Sequence, residues 1–109
     1  MRLFPPVTLL AGLWLLTTTL RAQSITTVEP LTAKAGDTVN AKGEGIDSSK
    51  VDTLYLTDGT HDFKCQMVEQ TAIAIKFKVP DMIQPGRWTV MIHTKKDQLI
   101  EQPVKLTVQ

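Results

Sequence analysis

The chain of 109 residues has a single cysteine, Cys65, so no disulfide can form within it. Small exported domains often compensate for a thin core with disulfides, because a domain of this size buries only about 60% of its unfolded surface. Here that support must come from strand packing instead. Aromatic residues are scarce too: two Trp, one Tyr and three Phe. Neither sign of charge dominates, with 12 Lys and Arg against 11 Asp and Glu, and there is no basic patch to argue for nucleic acid. The sequence also lacks a sustained helical period with caps, an internal repeat and a low-complexity tract. What it contains is alternation broken by turn residues.

The longest uncharged run, residues 3–20, follows Arg2 and includes Leu9, Leu10, Leu13, Leu15 and Leu16. It reads as a secretory signal peptide over residues 1–22, cut after the small residue Ala22. A retained membrane anchor is the competing reading, since the run approaches the ~20 residues needed to span a bilayer. Pro5 and Pro6 shorten its usable helix. The expected mature domain, residues 23–109, loses Arg2 and Arg21 and so carries ten basic against eleven acidic residues, a net of −1. This places the domain outside the cytoplasm, in a periplasmic, cell-surface or secreted location, with no membrane insertion once the signal is removed.

Beyond residue 24, turn signals recur about every eight to twelve residues, the spacing of a sandwich or barrel. Seven strands are expected: residues 25–28, 38–42, 51–57, 63–68, 73–79, 88–92 and 99–108. Asp58-Gly59 is the hairpin turn between the third and fourth. Pro80 stops the fifth, and Pro85-Gly86 re-aims the chain into the sixth. Pro103 interrupts the seventh, which suits an edge or a bulge. The expected inward set is Val28, Val39, Ala41, Leu54, Leu56, Ile73, Ile75, Phe77, Val79, Trp88, Val90, Ile92, Val104, Leu106 and Val108. The fold class is all-β, an antiparallel sandwich.

Several of these segments, in this order, resemble the IPT/TIG family of immunoglobulin-like domains. The opening strand and proline are Ile25-Thr26-Thr27-Val28-Glu29-Pro30. The glycine-led second strand is Ala35-Gly36-Asp37-Thr38-Val39, closed by Gly43-Glu44-Gly45-Ile46. The most recognisable piece is Ile75-Lys76-Phe77-Lys78-Val79-Pro80 followed by Pro85-Gly86-Arg87-Trp88-Thr89-Val90. The resemblance implies an immunoglobulin-like β-sandwich used for adhesion, assembly or spacing, or as an accessory domain beside an extracellular enzyme. It implies a bacterial source and carries no catalytic residues.

Site chemistry is sparse. His61, Asp62 and Cys65 are close in sequence, but zinc takes four such ligands in a defined spacing. Asp58 and Asp62 flank a glycine, yet hairpin geometry alone accounts for Asp58-Gly59. Ser24, Ser48 and Ser49 lie at the terminus or in a polar link, with no glycine-flanked nucleophile turn. No cofactor, no metal and no enzymatic activity are therefore expected. Two binding surfaces remain. The outward stripe of the sixth strand, Arg87, Thr89, Met91 and His93, has a composition found at protein interfaces. Tyr55, on the opposite parity from Leu54 and Leu56, offers an aromatic face for a sugar ring. The residues point to a non-enzymatic domain that contacts a protein partner, with carbohydrate binding as the alternative.

Overall fold

The computed structural model describes residues 23–109, so the expected signal peptide lies outside the described residues. These form eight strands and no helix: β1 (Ser24–Glu29), β2 (Thr32–Ala33), β3 (Thr38–Glu44), β4 (Val51–Thr57), β5 (Asp62–Gln70), β6 (Ala74–Lys78), β7 (Gly86–Thr94) and β8 (Leu99–Val108). Hydrogen bonding runs in the order β1-β3-β6-β5-β4-β7-β8-β2. β5 turns the corner between two layers: residues 62–65 pair with β4, and the strand from Gln66 onward pairs with β6. Where β5 leaves β4, the Gln70 side chain bridges the gap, donating to the carbonyls of Ile46 and Val51 at 2.9 and 3.0 Å. At the other end of the order β1 meets β8, and the Ile25 N–H donates to Gln102 Oε1 at 2.7 Å. The result is an immunoglobulin-like β-sandwich: β1, β3, β6 and the second half of β5 against the first half of β5, β4, β7, β8 and β2.

The alternation read from the sequence sets which side chains meet between the layers. Phe77, Ile75, Leu54, Leu56, Ile92 and Leu106 are fully buried, and Trp88 retains 4% exposure. Burial of each large member contributes about 1.5 to 3 kcal/mol. The Trp88 indole N–H donates to the Gln84 carbonyl at 2.9 Å, and its ring meets Phe63 edge-on at 5.4 Å between centroids. The core thus takes the largest aromatic and anchors it to the loop between β6 and β7.

The structure departs from or adds to the expected pattern at three points. Ile73, expected to point inward, is 66% exposed. It precedes β6 in a turn where Thr71 Oγ1 accepts the N–H groups of Ile73 and Ala74, so strand parity does not yet apply. The strand count is eight rather than seven, because Thr32 and Ala33 cross to the second layer. There they pair with Thr107 and Val108, and this pairing is parallel in an otherwise antiparallel arrangement. Finally, the first half of β8 lies against β1, where Gln102 is buried. Pro103 does mark a bulge. Thr89 faces Lys105 and Met91 faces Glu101, so Gln102, Pro103 and Val104 stand opposite Val90 alone. The insertion is even, so β8 keeps its inward and outward parity across it.

Two glycines are demanded by geometry. A Cβ on Gly43 would overlap the carbonyl oxygen of Ser24, where β1 is bulged against β3. Gly86 opens β7 at φ 147°, a conformation that side chains rarely adopt.

Candidate functional site

Pairing of β4 with β7 brings the two separately expected surfaces together. Tyr55 lies directly opposite Met91, Thr57 opposite Thr89, and Thr53 opposite His93. On the other side of Tyr55 stands Lys64 of β5. Across β7, β8 contributes Glu101 beside Met91, Lys105 beside Thr89 and Thr107 beside Arg87. The outer face of the second layer therefore carries a row Lys64, Tyr55, Met91, Glu101, and next to it a row Asp62, Thr57, Thr89, Lys105.

Exposure sorts these residues. Arg87, Lys64, Asp62, Glu101 and Lys105 are exposed, while Tyr55, Thr89 and His93 are half-buried. Met91 corrects the expected interface stripe: it is 6% exposed. It sits on an inner strand of the layer between the neighbours Tyr55 and Glu101, so it supports the face without offering much surface to a partner. Thr53 and Thr57 are likewise buried on this outward parity. Among the described residues, Asp62, Lys64, Arg87, Glu101 and Lys105 form no ion pair. Tyr55 is thus one half-covered ring surrounded by uncommitted donors and acceptors of both signs. Phe63, the other aromatic of the β4–β5 hairpin, is turned toward Trp88 and packed against the core.

His93 ends the stripe in a different state. Its Nε2 lies 2.8 Å from Asp97 Oδ1 and its Nδ1 3.3 Å from Asp52 Oδ2. The Asp97 carboxylate, joined by Asp52, raises the imidazole above its ordinary value. Asp97 adopts φ 63° in the β7–β8 turn, and its N–H donates to the Thr94 carbonyl. His93 therefore clasps the turn to the start of β4 and is not free to contact a ligand through either ring nitrogen.

The remaining candidates do not assemble. Cys65 is 2% exposed, and burial pushes its thiol up to about 12. A thiol so placed is an inert core group, closed to pairing between folded molecules. His61 is exposed and bound to Asp58, not to Cys65. Asp58 caps its own hairpin: Oδ1 accepts the N–H groups of Thr60 and His61 at 2.8 and 2.6 Å. These bonds, that from His61 first, hold its carboxyl down at about 2. Among the described residues no group of three or more His, Cys, Asp or Glu is arranged to hold a metal ion. Ser49 Oγ donates to Asp47 two residues away, a bond internal to the exposed β3–β4 link.

Lys64, Asp62, Glu101 and Lys105 were missed from the sequence. Counted outward as a two-residue turn, Asp58-Gly59 would set Asp62 opposite Tyr55; the loop is instead four residues long, residues 58–61, and that shift brings Lys64 there. The bulge at Pro103 hides the register that brings Glu101 to the same row.

No family profile and no curated protein matches the chain. Its fold is shared with segments of larger solved proteins. A structural-genomics protein of unknown function from Bacteroides thetaiotaomicron matches at TM-score 0.68 and 16% identity, over 83% of this chain and 22% of that one. SGBP-B of the Bacteroides ovatus mixed-linkage glucan utilization locus, solved in complex with a mixed-linkage heptasaccharide, matches at TM-score 0.60 and 18% identity. That match covers 82% of this chain and 24% of the other. An auxiliary nutrient binding protein from Bacteroides ovatus matches at TM-score 0.56 and 16% identity, over 83% and 21% of the two chains. The chain spans less than a quarter of the length of each.

Proposed function

We propose that this is a non-enzymatic, exported accessory domain of carbohydrate capture, with the outer face of the second layer as its glycan-contacting surface. The observation that carries the reading is the setting of Tyr55. A sugar is recognised by an apolar ring face stacked on an aromatic side chain, with hydroxyls bonded by polar groups around it. Tyr55 supplies the ring. Lys64, Thr89, Glu101, Asp62 and Lys105 supply donors and acceptors that no neighbour has claimed. A mixed-sign rim suits a neutral saccharide, whose hydroxyls both donate and accept. The fold's recurrence as one segment of a glycan-binding and a nutrient-binding protein supports the same reading, as does the signal-like N-terminus. The IPT/TIG resemblance fits it as a module that spaces or assists a larger assembly. A protein partner would use this same face, but with Met91 buried the stripe presents one arginine and small polar groups, a weaker anchor than the ring.

The test is affinity electrophoresis of the domain in gels containing soluble mixed-linkage glucan, starch or xylan. Retardation by at least one neutral polysaccharide, reduced tenfold or more in Tyr55→Ala at unchanged melting temperature, is the expected result. Equal retardation of the variant, or none of the wild type in any gel, refutes the reading.

A further inference from the structure

The end of the sandwich beside His93 holds a cleft that neither the face nor the core accounts for. It has a volume of about 560 Å³ and is lined by Gln23, Glu44, Gly45, Ser49, Lys50, Lys95 and Lys96. Among the described residues, three lysines thus line it from two separate loops, the β3–β4 link and the β7–β8 turn. The loops are fixed to each other: the Lys95 N–H donates to the Lys50 carbonyl at 2.9 Å. The Lys50 N–H in turn donates to the Asp47 carbonyl at 2.9 Å, which shapes the link as a tight turn.

The carboxylates of this end are committed elsewhere. Asp47 accepts from the Ser49 N–H and hydroxyl at 3.2 and 2.6 Å. Asp52 and Asp97 hold His93 between them. Asp52 also reaches Lys95 at 3.7 Å, which partly neutralises that one lysine. Lys50 and Lys96 form no ion pair among the described residues. Glu44, which is itself engaged, shares the lining. Like charges brought together in a concavity repel one another and raise the local potential, an arrangement that an anion relieves.

We infer that the cleft between the β3–β4 link and the β7–β8 turn binds an anionic group of a polysaccharide, a uronate carboxylate or a sulfate, through Lys50, Lys96 and Lys95. The polysaccharide nature of the ligand rests on the glycan reading above, whereas the preference for an anion rests on the cleft alone. The site is separate from Tyr55, which lies on the outer face of the layer.

Affinity electrophoresis in polygalacturonate, dextran sulfate and uncharged dextran tests the assignment, with wild type compared with the triple variant Lys50→Gln, Lys95→Gln, Lys96→Gln. The wild type should be retarded by one or both acidic polymers and not by dextran, and the retardation should fall steeply with salt. Polygalacturonate alone identifies a carboxylate site, dextran sulfate alone a sulfate site. The triple variant should lose binding tenfold or more, and Lys50→Arg with Lys96→Arg should retain it. An unchanged triple variant, wild-type retardation by dextran equal to that by the acidic polymers, or none in either acidic polymer overturns the assignment. Tyr55 is intact in every variant, so failure here is separable from failure of the neutral-glycan reading.

Discussion

The two outer faces of the sandwich are built from the same alternation yet are finished differently. On the first layer the central charges satisfy each other: Lys42 pairs with Glu29 at 3.0 Å and Lys76 with Glu69 at 3.5 Å. The face has no aromatic residue; Asn40 Oδ1 is buried without a partner, and Lys78 at the end of β6 is exposed and forms no ion pair among the described residues. On the second layer Tyr55 is flanked by Lys64, Glu101, Asp62 and Lys105, none of them ion-paired among the described residues. A solvated wall and a recognition surface can share one strand pattern. What separates them is the aromatic ring on the second layer and the larger share of charges left unpaired around it.

The comparison stands on the core, so the largest expected effect comes from removing its anchor. Trp88→Ala should cost about 3 to 5 kcal/mol and destroy both faces together, read as a collapse of the urea midpoint. Trp88→Phe, which keeps an aromatic ring in the core but loses the bond to Gln84 and part of the indole's volume, should be milder. Next comes the seam between the layers. Gln102→Ala leaves the Ile25 N–H without its acceptor and should cost about 1 to 3 kcal/mol, lowering the melting temperature while leaving the outer face of the second layer chemically intact. On the first layer, Lys42→Ala or Lys76→Ala should change stability by less than about 1 kcal/mol, because both pairs are exposed, and should leave glycan retardation unaltered. A change in binding there would erase the distinction between the faces.

The smallest effect is pH-dependent. The folded-state value of His93 is raised, so its clasp adds stability that is fully present below the unfolded value of about 6.5 and is lost as pH rises through the folded value. Thermal melts at pH 5.5 and pH 8.5 should show a loss at the higher pH that His93→Gln abolishes. Asp58 acts in the opposite sense. Its lowered value gives stability present above the unfolded value of about 3.9 and lost as pH falls toward about 2.

Much of the fold was legible because period-two alternation records which side of a strand faces the core. Phe77, Trp88 and Leu106 were readable in that way, and Pro103 announced its bulge. The failures occur where parity has no hold. Ile73 lies in a turn governed by Thr71, and Thr32–Ala33 is too short to show a period. Met91 follows the outward parity, but its burial depends on what stands on the flanking strands. The site was half legible for the same reason. Tyr55 and the β7 stripe could each be named, but their juxtaposition depends on β4 pairing with β7, a contact between distant segments. The lysine cleft depends on two loops meeting at one end, which no local pattern encodes.

The most direct test of the contrast between faces is an amide chemical-shift titration of the labelled domain with a mixed-linkage glucan heptasaccharide. Saturable shifts clustered at Tyr55, Lys64, Thr89 and Glu101, with Lys42 and Lys76 unmoved, are the predicted result. Shifts centred on the first layer, or none at millimolar saccharide, would contradict the account.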